Sequence, residues 1–187
     1  MRAERRLCAA ADGLRLRWPC AGAPRSVRPV STDGFAVAVV RAEGKWRCSL
    51  LAPELLDDLD GMISGLRRVA VEGAVFGVVC VDDEFFMVIR PIPGGVSLLL
   101  SDATAALDFD LAADALDLLH VEVPEEEDID DEAWPEGDLA LLADLGVHAQ
   151  EMQIIVDDAE LYPDEQLFLI AERAGFDEEL RRIVDKL

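Results

Sequence analysis

The sequence predicts an α+β protein: a five-stranded antiparallel sheet with helices, followed by a small C-terminal helical bundle. Three observations predict it. Short β-rich runs are joined by tight turns, which forces antiparallel neighbours. Between and after them, apolar residues recur at helical spacing. The last quarter of the chain carries helical patterns alone. Composition agrees with a folded chain, because 187 residues with 51% hydrophobic content are too apolar for wholesale disorder. At this length roughly 70% of the unfolded surface can be buried, enough for one sizeable core or two small domains. No apolar run approaches the ~20 residues of a membrane helix, and solubility is expected.

The elements follow in order. Phe35 to Val40 and Trp46 to Leu51 read as strands joined by a Glu43-Gly44 turn. Pro53 suits a first helical position, and Leu55, Leu56, Leu59, Met62, Ile63 and Leu66 fall on one helical face, with Asp57, Asp58 and Asp60 on the other. Strands then run from Val75 to Val81, Phe85 to Arg90 and Val96 to Leu100, turned by Asp82-Asp83-Glu84 and by Pro93-Gly94-Gly95. Ser101 or Asp102 caps an Ala- and Leu-rich helix from Ala103 to Leu119. The order strand, strand, helix, strand, strand, strand, helix resembles that of the small roadblock and longin domains. Beyond it, Leu139 to Gly146, Ala149 to Asp157, Asp164 to Ala174 and Asp177 to Lys186 read as helices, with Gly146 and Gly175 as stops.

Charge divides the chain further. The formal charge is 17 − 39 = −22, yet residues 1–30 hold seven Arg against Glu4 and Asp12, a balance of +5. Residues 1–32 therefore read as a basic disordered extension, with an over-extended start favoured over a functional tail or a transit peptide. Residues 33–120 form the sheet domain and 139–187 the helical domain. The connecting stretch 121–138 is an acidic linker, since ten of the seventeen residues from Glu122 to Asp138 are Asp or Glu. Cys8, Cys20, Cys48 and Cys80 lack C-x-x-C spacing, and two lie in strand-like runs. Free thiols in a reducing cytoplasm are expected.

Catalytic signatures are missing. His120 ends a helix, where it complements the dipole, and His148 with Glu151 forms H-x-x-E without the second His of a zinc helix. Zinc deaminases need H-x-E and P-C-x-x-C, and neither is present. Asp128, Asp130 and Glu132 have calcium-loop spacing, but Ala133 replaces the turn glycine and Leu139 the bidentate Glu. Gly94 and Gly95 join two strands and not a strand to a helix, so they form no phosphate cradle. Arg90 is expected to pair with a carboxylate near the end of its strand. Arg67 with Arg68, and Arg181 with Arg182, are the adjacent cations of the acidic body, and both pairs read as solvated helix faces. Such a body is unsuited to holding a phosphate backbone unaided, but it suits a basic protein surface. Trp134 adds an aromatic anchor in the acidic stretch.

Several strings carry more than composition does. Asp33-Gly34-Phe35-Ala36-Val37, Val81-Asp82-Asp83-Glu84-Phe85-Phe86, Arg90-Pro91 with Gly94-Gly95, Leu98 to Ala106, and Leu161-Tyr162-Pro163-Asp164-Glu165-Gln166-Leu167 occur in that order. Together, over about residues 33–185, they resemble the actinobacterial tRNA adenosine deaminase-associated protein family. The resemblance implies a non-catalytic accessory or regulatory protein of the enzyme that converts a wobble adenosine to inosine. Docking on that enzyme's basic surface is expected, while charge, run lengths and missing motifs lead to the expectation of no direct nucleic acid binding, no membrane and no cofactor. No catalytic or metal residue is expected. The partner-binding candidates are Asp82, Asp83, Glu84, Arg90, Asp130, Asp131, Trp134, Tyr162, Asp164 and Glu165. The alternative, from element order, is a roadblock-like dimeric scaffold or small-GTPase co-regulator, for which a homodimer is expected.

Overall fold

The computed structural model describes residues 34–69, 74–125 and 133–187. The basic extension, Cys8, Cys20, Asp130 and Asp131 lie outside the described residues. One antiparallel sheet forms the middle layer, built from β1 (Gly34–Ala42), β2 (Lys45–Leu50), β3 (Ala74–Val81), β4 (Phe85–Ile92), β5 (Gly95–Leu100) and β6 (Glu136–Gly137). Its spatial order is β2-β1-β3-β4-β5-β6, so the sheet has six strands where five are expected from the sequence. The sixth is a two-residue strand whose Glu136 pairs with Leu100 and whose Gly137 pairs with Leu99. It has no apolar alternation to announce it, and it falls inside the stretch dominated by acids.

Helices cover both faces of the sheet. On one face lie α1 (Leu59–Val69) and α2 (Asp110–Leu119). Met62, Ile63, Leu66, Leu111 and Leu116 meet Val79, Phe85, Met87, Ile89 and Leu100 there. The other face carries α3 (Ala149–Val156), α4 (Pro163–Ala174) and α5 (Asp177–Val184). Met152, Ile155, Leu167, Ile170, Phe176 and Leu180 pack on Val37, Val39, Phe76, Val78, Phe86 and Val88. Alternate residues of each strand thus enter different cores, as a pleat requires. Because the central strands are covered twice, β3 and β4 read as nearly unbroken apolar runs, unlike a sheet with one wet face.

Local polar groups set where helices begin and end. The helix expected from Pro53 is split: a 3-10 turn spans Pro53–Asp57, and Asp58 then accepts a bond from the Gly61 amide at 2.8 Å. The helix expected from Ala103 to Leu119 is also two pieces. Asp102 caps a 3-10 turn over Ala103–Leu107, and Phe109, extended, lays its ring against Phe85 at 5.4 Å before α2 starts. Leu139 to Gly146 is not the expected α-helix but a series of turns ending in a 3-10 segment at Ala143–Leu145. The reason is competition for acceptors. Arg90 takes the Leu141 carbonyl at 2.6 Å, and the Leu145 amide turns to Leu142 instead. Gly146 and Gly175 do end their helical segments in the left-handed conformation, with φ of 104° and 82°.

Candidate partner-binding site

Antiparallel pairing brings the β3–β4 turn, the start of β1 and the end of β5 to one end of the sheet. The α3–α4 corner reaches the same end, and the segments form a cleft of about 380 Å³. Asp83 and Glu84 from the turn, Asp102 after β5, and Asp158, Glu160 and Tyr162 from the corner line it. A second hollow, also about 380 Å³, shares Asp83 and adds Gly34, Phe35, Cys80, Asp82 and Asp164. Seven carboxylates therefore border two adjoining hollows, because Asp82, Asp83, Glu84, Asp102, Asp158, Glu160 and Asp164 all line one or the other. Such a concentration of like charge suits a cationic surface.

Backbone conformation and local hydrogen bonds hold the carboxylates in place. Asp82 adopts a left-handed φ of 46°, which turns the chain sharply enough to present Asp83 and Glu84 together. Ser101 is buried; its hydroxyl accepts from the Phe86 amide at 2.9 Å and its own amide donates to the Phe86 carbonyl at 3.0 Å. That exchange anchors Asp102, whose carboxylate caps Thr104 at 2.8 Å. Gln166, also buried, donates to the carbonyls of Ile155, Val156 and Asp158 at 2.9, 3.2 and 3.2 Å. It therefore ties α4 to the last turn of α3 and fixes the corner. Glu165 accepts from the Tyr162 amide at 3.0 Å, an N-terminal helix contact, and Tyr162 itself is 60% exposed.

Backbone approach is close at the rim. A Cβ on Gly34 would lie 2.3 Å from the Cys80 carbonyl oxygen, so no other residue fits there without moving the backbone. The Cys80 thiol beneath is pushed up to about 12, first by burial and then by Asp164, Asp83 and Asp82. It is protonated at neutral pH and is no nucleophile there. Among the described residues no group of three or more His, Cys, Asp or Glu could hold a metal ion.

Of the sequence-predicted residues, Asp82, Asp83, Glu84, Tyr162 and Asp164 converge at this end of the sheet. Glu165 serves the α4 N-terminus. Trp134 follows Ala133, which lines the cleft; its indole donates to Glu136 at 3.1 Å and its carbonyl accepts from the Ala103 amide at 2.8 Å. Arg90 is elsewhere: it pairs with Asp144 at 2.5 and 2.7 Å, 54 residues on, and holds the segment before α3. Asp102, Asp158 and Glu160 were not among the predicted residues. Asp102 is expected only as a helix cap, and acids such as Asp158 and Glu160 before a helix entry are common in so acidic a chain.

Fold and site together define a three-layer α+β protein with an acidic cleft at one end of its sheet. Its sequence matches the Rv3753c-like tRNA adenosine deaminase-associated protein family over residues 34–177, and the chain belongs to that family. It is 50% identical over 155 residues to Protein Rv3753c of Mycobacterium tuberculosis, covering 83% of this chain and 90% of that one. No solved structure matches, and the roadblock- or longin-like arrangement expected from element order is not confirmed. Among the described residues no helix is long and apolar enough to cross a membrane.

Proposed function

We propose that this chain is a non-catalytic accessory protein of tRNA adenosine deaminase, docking its acidic cleft on the basic, RNA-facing surface of the enzyme. One observation carries the reading. Segments far apart in the chain, Gly34-Phe35, Asp82 to Glu84, Ser101-Asp102 and Leu161 to Gln166, meet around the two hollows. They belong to four of the five strings that carry the family resemblance, all but Arg90-Pro91 with Gly94-Gly95, and they converge on a surface and not merely in a core. The family's name supplies the partner, and the carboxylates supply the chemistry: a cluster that offers acceptors to Arg and Lys. Docking there regulates the enzyme by competing with tRNA or by stabilising it, and it places the protein in the cytoplasm beside its partner.

The test is co-purification of the two proteins with salt titrated, followed by deamination assays with and without this chain. Progressive dissociation with salt is expected, as screening weakens charge pairs. Reversing charge in the turn, Asp83→Lys with Glu84→Lys, should weaken binding at least tenfold, or about 1.4 kcal/mol. No interaction at micromolar concentration together with no rate effect at low salt would sink the proposal.

A further inference from the structure

The end of the sheet opposite the cleft gathers cations. Arg41 pairs across the hairpin with Trp46, Ala42 with Lys45 and Val40 with Arg47, so three cations crowd the β1–β2 tip. Arg67 and Arg68 occupy the last turn of α1, and all five are exposed. Segments 41–47 and 66–69 contain one acid, Glu43, giving a local balance of 5 − 1 = +4 in a chain of −22. Among the described residues the ion pairs belong to Arg90, Arg173 and Arg182, and none of the five makes one. The α1 dipole accounts for Arg67 and Arg68, Arg67 also donates to the Gly95 carbonyl at 3.3 Å, and Arg41 lies over the Trp46 ring, but none of these accounts for Lys45 and Arg47.

An apolar groove of about 570 Å³ accompanies these charges. Val40, Ala42, Cys48 and Val69 line it together with Arg47, Ser49 and one acid, Glu43, and Val69 is 37% exposed. An apolar floor beside cations fits an acidic surface with an apolar projection. Nucleic acid fits less well: the Trp46 ring is committed to Arg41, Phe76 and Phe176, so it offers no platform for a base. This chain carries a surface of the required kind at its other end. At the α3–α4 corner Tyr162 is 60% exposed, with Asp158 and Glu160 exposed beside it.

We propose that the groove docks the α3–α4 corner of a second copy of this chain, with Tyr162 entering the apolar floor and Asp158 and Glu160 facing Arg47 and Arg68. The contact is heterologous, since the groove of one copy meets the corner of the next, so assembly grows head to tail. It uses the corner that borders the cleft, and so a docked copy excludes any other partner from that corner. Two copies of net charge −22 repel at long range. Moderate salt screens this repulsion while leaving close contacts, so association is strongest at intermediate ionic strength.

Sedimentation velocity of the full chain tests this with two variants at exposed positions: Arg47→Glu, which lines the groove, with Arg68→Glu, next in the chain to its Val69; and Glu160→Lys with Tyr162→Ala at the corner. Circular dichroism and thermal melts matching the parent establish that both fold. The parent should exceed monomer mass as concentration rises, and each variant alone should associate at least tenfold more weakly. An equimolar mixture should form a dimer and stop there, because each variant keeps only one competent surface. A parent that stays monomeric at hundreds of micromolar, association undiminished in either variant, or a mixture without dimer overturns the proposal. So does a monomeric parent that binds tRNA or an unrelated acidic protein through Arg47 and Arg68.

Discussion

Arg90 shows what a single cation does among many acids. Its side chain is 18% exposed, and its guanidinium holds the Leu141 carbonyl and both oxygens of Asp144, so one residue of β4 fastens the segment that leads into α3. The bond from Arg90 holds the Asp144 carboxyl below the usual carboxylate range. A folded-state value below the unfolded one means stability that is present above the ordinary carboxylate range and lost as pH falls through the depressed value. Replacing Arg90 by Met should cost about 1–2 kcal/mol near neutrality, because a charged bond is lost and the Leu141 carbonyl loses its donor. Urea denaturation of both proteins across acidic pH checks it. The gap between them should narrow as Asp144 is protonated, and a gap independent of pH would show that packing, not pairing, carries the effect.

At the scale of elements, the α3–α4 corner depends on Gln166. Three carbonyls at the end of α3 and beyond it take bonds from its side-chain nitrogen, and no buried side-chain polar atom among the described residues lacks a partner. Gln166→Leu keeps the volume but removes the donor, leaving helix-end carbonyls without it. A loss of about 1–3 kcal/mol is expected in urea unfolding. Amide exchange should quicken from Asp157 to Leu161 while β3 and β4 stay protected. Uniform quickening across the sheet would mean that the corner is not an independent unit. The same logic explains the split helices. Asp58, Asp102 and Arg90 each bond a backbone group at a helix boundary, and periodicity alone cannot register such side-chain competition.

Across the whole molecule, charge and packing act in opposite senses. Two apolar cores sandwich the sheet, while a formal charge of −22 resists compaction. Asp114 registers that resistance locally, its carboxyl raised first by burial and then by Asp110, Asp117, Asp60 and Asp58. Its folded value lies above the unfolded one, so its ionisation opposes folding and mild acid relieves it, opposite in sign to Asp144. Salt should therefore raise the melting temperature by a few degrees from low to moderate ionic strength, as repulsion is screened. Calorimetry across a salt series measures this. A falling melting temperature would mean that the few ion pairs outweigh the repulsion.

The amino-acid sequence by itself determined the five long strands, the family and the acidic character of its surface, because turn chemistry, apolar period and net charge are local or additive. It also contained Asp82 to Glu84 and Tyr162 to Asp164 as distinct strings. Only the tertiary structure decided that these strings meet, that Asp102, Asp158 and Glu160 join them, and that Arg90 belongs to another place. It alone added β6 and gathered five cations at the far end of the sheet. The physical reason is common to all: antiparallel register fixes which distant residues share an end or a face, and register arises from pairing between strands rather than from any one stretch of chain.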